Sequence, residues 1–292
     1  MTLVVTRLRV LVQACRPRQW VKNALVLTAP VAAGIALQPR AALQMLVAVI
    51  AFTVAASGIY LVNDAVDVQA DRAHAIKRLR PVASGELSVR AARTAALVLL
   101  PGALVISALL NWQLLVVVAI YEVVQLWYCL GMKHEPVIEL ASVASGFLLR
   151  AIAGGVATHI ALSQWFLIAA GFGSLFMAAG KRYAEIRLVQ ETGVAIRPVL
   201  KHYTPSYLRF VWTMSAGVLV TTYALWAFAI YQATTNEWSV VSIVPFVVAL
   251  LRYSVDVDSG AAGEPEEIVL HDRMLMVLGG IWAACLMASV YL

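Results

Sequence analysis

Three aspartates at the end of an apolar run carry the clearest chemical signal in this sequence. In Asn63-Asp64-Ala65-Val66-Asp67-Val68-Gln69-Ala70-Asp71 the carboxylates are spaced i, i+3, i+7. On a helix that spacing predicts a shared face. Three like charges on one face repel, and a divalent cation is the natural counter-charge. Mg2+ prefers hard oxygens and is commonly shared between carboxylates and substrate phosphates. The pattern therefore points to Asp64, Asp67 and Asp71 as metal ligands, with Asn63 assisting. The competing reading is a solvated acidic helix end. Basic residues follow at once, at Arg72, Lys77, Arg78 and Arg80, before Pro81-Val82-Ala83-Ser84-Gly85. Carboxylates for a metal and cations for phosphate oxygens are what a metal–diphosphate site requires. For Arg72 and Arg78 a plain topology signal explains the charge equally well.

Other charged groups could complete such a site. Gly180-Lys181-Arg182-Tyr183-Ala184-Glu185 closes another apolar run. Lys181 and Glu185 are i, i+4, so they form either a helical ion pair or a second wall of the same pocket. Arg16-Pro17-Arg18-Gln19-Trp20-Val21-Lys22-Asn23 places Arg18 and Lys22 where they either anchor the chain or contact a second phosphate. Lys133-His134-Glu135-Pro136, followed by Glu139, suits a site rim. Arg150 and Glu122 fall inside apolar runs. Ionisable groups inside a membrane are costly and default to functional hypotheses. Arg150 is expected to reach a phosphate, whereas a protonated or paired Glu122 is the simpler account of that residue.

The elements that must position these groups follow from composition. Of 292 residues, 62% are hydrophobic and 13% charged. Soluble domains carry about 45–50% apolar and about 25% charged residues. The 38 charged residues (22 basic, 16 acidic) cannot cover a soluble globule of this length. An all-α, polytopic membrane bundle of about nine helices is expected, forming one integral membrane domain over 1–292. The predicted spans lie near 22–38, 41–62, 92–110, 112–130, 138–157, 162–180, 208–231, 238–252 and 274–291. Residues 1–21 form an interfacial segment, and 63–91 and 181–207 are expected as active-site loops.

The connections alternate in character. Short, nearly uncharged turns sit at 38–40, 111–113, 158–159 and 232–238. Long charged ones sit at 63–91, 131–137, 181–207 and 253–273. Only Arg40 among the 22 basic residues falls in the first set. Positive-inside logic puts the N-terminus and the long loops in the cytoplasm. The net charge of +6 is accounted for by topology and phosphate binding, so nucleic acid is not implied as a partner. Cys15, Cys129 and Cys285 form an odd, scattered set, read as reduced and space-filling. Small residues in several helices suit subunit packing, and a homo-oligomer is expected.

The Asn63-to-Asp71 motif with its Lys77-Arg78-Leu79-Arg80-Pro81-Val82-Ala83-Ser84-Gly85 tail resembles the UbiA prenyltransferase superfamily. That resemblance implies a nine-helix membrane bundle binding Mg2+ and a diphosphate on its cytoplasmic half. At the second motif of that family, usually Asp-rich, this chain carries Lys181-Arg182-Tyr183-Ala184-Glu185. Further stretches are similar to one branch, the decaprenyl-phosphate phosphoribosyltransferases. They are 16–23, Lys133-His134, Gly146-Phe147-Leu148-Leu149-Arg150-Ala151, 180–182 and Gly263-Glu264-Pro265-Glu266-Glu267. The branch resemblance implies phosphoribosyl diphosphate as donor and a polyprenyl (decaprenyl) phosphate as acceptor. It also implies a bacterial plasma membrane and a role in precursor synthesis for cell-wall arabinan. Under it, Asp64, Asp67, Asp71, Lys181 and Glu185 form the catalytic set. Arg18, Lys22, Asn63, Lys77, Arg80, Lys133, Arg150, Arg182 and Tyr183 bind the substrates. Prenyl transfer to an aromatic or haem acceptor, and a membrane transporter, stay open as alternatives.

Overall fold

The computed structural model describes residues 2–74, 76–192, 198–259, 268 and 272–291. Every regular element among them is helical. The chain runs through α1 (Thr2–Ala14), a 3-10 stretch (Pro17–Leu27), α2 (Thr28–Ala32), α3 (Pro39–Val66) and α4 (Val68–Ala73). It continues through α5 (Pro81–Ser84), α6 (Val89–Leu110), α7 (Trp112–Leu130) and α8 (Ile138–Ala157). Then come α9 (Gln164–Thr192), α10 (Pro205–Thr234), α11 (Trp238–Val241), α12 (Ile243–Asp258) and α13 (Arg273–Tyr291). Among the described residues, seven stretches are long and apolar enough to cross a membrane: α3, α6, α7, α8, α10, α11 with α12, and α13. The expected bundle of about nine spans approximates that set.

Local chemistry explains the starts. The Ser88 hydroxyl accepts the Ala91 N–H, the Asn111 side chain accepts from Leu114 and the Thr204 hydroxyl accepts from Tyr207. Each satisfies a donor that the first helical turn leaves unpaired. Pro39 and Pro205 open α3 and α10, where a missing N–H costs nothing.

Two expectations change. The predicted first span at 22–38 is instead the 3-10 stretch followed by the five-residue α2. Pro30 has no N–H to give the ladder, and Gly34 takes a positive φ of 72° beyond it. This segment lies tight against α8: a Cβ at Gly154 would land on the Val26 carbonyl oxygen. The second change is at 181–187, predicted as the start of a loop. The helix runs 29 residues, to Thr192, so Lys181, Arg182 and Glu185 project from its interior.

The described residues group into two compact units. The first comprises 1–31, 35–133 and 149–161. Its core packs Phe52 and the alanines at 48, 51, 55 and 56 of α3 against Leu114, Val118 and Tyr121 of α7. Small residues on α3 let neighbouring backbones approach closely. A second cluster, including Cys15, Leu61, Ala65, Val82 and Ala92, seats the end of α3 against α1, α5 and α6. The other unit comprises 32–34, 134–148 and 162–292. Phe176 and Tyr183 stack on Trp212 there, with ring centroids 5.6 and 6.0 Å apart. All three cysteines are buried and unbridged, as their scatter suggested. Burial pushes the Cys15 thiol up from its ordinary pKa.

Candidate active site

The aspartate motif does not ride on one continuous helix. α3 stops at Val66, and Asp67 leaves helical geometry at φ −88° and ψ 7° before α4 resumes. The joint is held by the Asp67 N–H on the Asn63 carbonyl (2.9 Å) and the Asp71 N–H on the Asp67 carbonyl (2.8 Å). The expected single face is thereby split. Asp64 and Asp71 turn one way, each only a few per cent exposed, and both receive the Arg80 guanidinium, at 3.4 and 2.6 Å. Asp67, more exposed, pairs with Lys133. Asp64 is also ion-paired with Arg16. Asn63 is half-buried beside this group.

Each cation is positioned for a local reason. Arg80 precedes Pro81, which forces it into extended geometry at φ −65° and ψ 143°. Arg16 sits in left-handed geometry at φ 55°, directly before Pro17, with its guanidinium 4.8 Å from the Tyr60 ring centre. Arg72, one of the ambiguous cations, donates to the Ala83 carbonyl at 3.0 Å and ties α4 to α5. Lys77 is half-buried and Arg78 exposed in the short helical turn that follows α4. Arg18 is exposed and Lys22 half-buried in the 3-10 stretch. Arg16 is the residue that sequence reading undervalued. Its charge was visible, but not its meeting with a carboxylate 48 residues away.

These residues fit a divalent cation. One guanidinium bridges two buried carboxylates, standing in for a shared positive charge, and the donors are all hard oxygens. Among the described residues no three His, Cys, Asp or Glu side chains converge as a metal-binding group. A Mg2+ ion here would draw protein oxygens from Asp64 and Asp71, and a partly hydrated ion shared with phosphates needs few protein ligands.

Arg150 is placed otherwise than the sequence suggested. Its Nε donates to the Asn23 side-chain oxygen at 2.7 Å and an Nη to the Tyr121 hydroxyl at 3.1 Å. Asn23 in turn donates to the Thr53 hydroxyl at 2.9 Å. The guanidinium also lies 4.9 Å from the Tyr121 ring centre and 5.6 Å from that of Phe52. Arg150 thus braces the 3-10 stretch to α3, α7 and α8 inside the first unit. Glu122 is buried in α7, and its Oε1 has no hydrogen-bond partner.

In the other unit the second charged motif is largely closed. Arg182 is buried and donates through Nε to Glu139 at 2.8 Å and through Nη1 to both Glu185 oxygens at 2.9 Å. Glu139 is fully buried, and its Oε2 has no partner. Glu185 therefore pairs with Arg182 at i, i+3. Lys181 is half-buried one turn back. Tyr183 points elsewhere. Its hydroxyl donates to Asp258 at 2.8 Å and accepts from Arg209 at 2.6 Å. Tyr203 accepts the Val137 N–H at 2.7 Å, and burial pushes its phenol pKa up.

The model of the UbiA prenyltransferase family matches residues 25–286. The chain is a member of that family. A UbiA homolog from Archaeoglobus fulgidus, solved bound to DMAPP and Mg2+, superposes with a TM-score of 0.72 at 18% identity, covering 96% of this chain and 98% of that one. At that identity the likeness speaks for the UbiA fold alone. Sequence relatives are nearer. The decaprenyl-phosphate phosphoribosyltransferase of Mycolicibacterium smegmatis is 52% identical, with 96% of this chain and 92% of that protein aligned. The protein of the same name from Corynebacterium glutamicum is 50% identical, over 97% of this chain and 87% of its own length. The Gly263–Glu267 stretch that contributed to the resemblance lies outside the described residues.

Proposed function

We propose that this UbiA-family chain transfers a 5-phosphoribosyl group from phosphoribosyl diphosphate to decaprenyl phosphate, releasing diphosphate. The carrying observation is the 50–52% identity, over nearly the whole chain, to enzymes named for that transfer. The geometry of the first unit supports it, with buried carboxylates and surrounding cations, and the sequence of the second motif is basic where the family resemblance leads one to expect acidic residues. The reaction is placed at the cytoplasmic face of a bacterial plasma membrane, feeding synthesis of cell-wall arabinan.

Asp64 and Asp71 hold Mg2+ in this reading, with Asp67 and Asn63 beside them. The bound ion supplies charge neutralisation of the leaving diphosphate. With carboxylate oxygens committed to a dication, Arg16, Arg80 and Lys133 are left to engage phosphate oxygens. The C1–O bond of the donor breaks, its electron pair leaves with diphosphate, and positive charge develops on the ribose. An oxygen of the lipid phosphate, already ionised at neutral pH, forms the new bond at C1, so no strong general base is needed. Arg18, Lys22, Lys77 and Lys181 are the candidate cations for the 5-phosphate and the lipid phosphate. Glu185 holds a ribose hydroxyl through its exposed edge. Arg182 and Arg150 act by position, because their guanidinium groups are spent on protein partners. Catalysis is then orientation and electrostatics.

The deciding experiment offers purified protein decaprenyl phosphate and Mg2+ with either phosphoribosyl diphosphate or a prenyl diphosphate. Diphosphate release and a phosphoribosylated lipid are expected only with the former. Release with the prenyl donor alone overturns the reading, and an unchanged rate in excess chelator removes the metal.

A further inference from the structure

A cavity of about 680 Å3 opens beside α9 and α10, within the second unit, lined by Tyr183, Arg187, Arg209, Phe210, Met214 and Gly217 among others. It shares Tyr183 with the second charged motif but opens on the other side of α9 from Lys181 and Glu185. Tyr183 and Arg187 are i, i+4, and lie roughly 160° around the helix from Lys181 and Glu185. Its size falls within the range of small-molecule pockets, about 300–1,000 Å3.

Its lining has two halves. At the polar end, Arg209 is balanced by Asp258 at 3.0 Å and held over the Tyr183 ring. Arg187 is half-buried and makes no hydrogen bond or ion pair among the described residues. Among the described residues, the cavity therefore carries one uncompensated positive charge. The apolar half descends one face of α10 through Phe210, Met214 and Gly217, spaced i, i+4, i+7. Phe210 is 63% exposed, and a Cβ at Gly217 would meet nothing within 4 Å. From Ser206 to Gly217 the helix rises about 16 Å. α10 is one of the membrane-crossing helices and begins at Pro205. The arginines thus sit at head-group depth and the apolar track runs toward the hydrocarbon.

We propose that this cavity binds a membrane glycerophospholipid with a singly charged phosphodiester head group, such as phosphatidylglycerol. Arg187 takes the phosphate, Arg209 adds a donor, and one acyl chain lies along Phe210 and Met214 into the notch at Gly217. A single unbalanced guanidinium matches one negative charge. A phosphate monoester such as a polyprenyl phosphate carries close to two at neutral pH, and a zwitterionic lipid none.

The test is native mass spectrometry of the full chain released from nanodiscs of phosphatidylcholine and phosphatidylglycerol in equal amounts, with and without decaprenyl phosphate. Wild type is expected to retain phosphatidylglycerol at least tenfold over phosphatidylcholine. Arg187→Gln should abolish that preference, and Gly217→Leu should lower retention of the lipid by filling the notch. Phosphoribosyl transfer in detergent is expected to be unchanged in both variants. Equal retention of the two phospholipids, or full retention by both variants, overturns the proposal. Displacement of phosphatidylglycerol by decaprenyl phosphate, with a raised KM for that acceptor in Arg187→Gln, overturns it in favour of an acceptor site.

Discussion

The two charged clusters of this chain contain similar residues and are built in opposite ways. Around the aspartate motif, three carboxylates meet three cations drawn from distant segments. The Arg16 and Arg80 side chains keep about a quarter of their surface in solvent, at 24% and 26%. Around Arg182, one guanidinium serves two glutamates with only 4% of its side chain exposed and Glu139 wholly enclosed. The first arrangement keeps its cations partly hydrated, so its ion pairs do not depend wholly on one another for solvation. In the second, each charge depends on the other for its solvation. Similar side chains are therefore held near solvent in one unit and enclosed in the other.

That contrast breaks most easily at Arg182. Arg182→Met should cost about 3–5 kcal/mol, because Glu139 is left buried and unpaired. Thermal unfolding in detergent reads this, and pairing the change with Glu139→Leu should recover much of the loss. A single variant that melts like wild type would make Arg182 an exchangeable ligand after all. Asp64→Ala and Asp71→Ala should lower transfer roughly 100- to 1,000-fold, the scale of losing one electrostatic element of an active site. Diphosphate release measures it, and the protein should stay monodisperse. Lys181→Ala sharpens the boundary within the second motif. Its KM for phosphoribosyl diphosphate should rise about tenfold, as for one charge-assisted hydrogen bond, with the decaprenyl phosphate KM unmoved. The smallest effect is expected at the brace in the first unit. Tyr121→Phe removes one of Arg150's partners and should lower stability by about 1 kcal/mol, with KM for both substrates unaltered.

Much of this was legible from residue order. Apolar runs and their charged connections predict the helices, since lipid leaves the backbone no other partner. The aspartate motif and its basic tail carry the resemblance to the family whose model the chain matches. The misreadings share a cause. Asp64, Asp67 and Asp71 fit one helical face on paper, yet the chain breaks at Asp67, and cations from residues 16, 80 and 133 then divide the carboxylates. Arg150 reads as a phosphate ligand because nothing nearby in sequence answers its charge. Its partners, Asn23 and Tyr121, lie 127 and 29 residues away. Lys181 to Glu185 reads as a helix end because charge normally stops an apolar helix. Glu139, 43 residues back, lets α9 carry Arg182 onward.

By itself, the sequence determined the membrane-spanning helical class, the family and the residue types at the end of α3. Those depend on composition and local spacing, which a linear chain displays in full. Which charges meet was decided by tertiary structure. An ion pair depends on distance and on the solvent excluded around it, and both arise only when segments far apart in the chain are packed together. Only the folded chain shows which cations hold the protein's own carboxylates: Arg16, Arg80, Lys133 and Arg182.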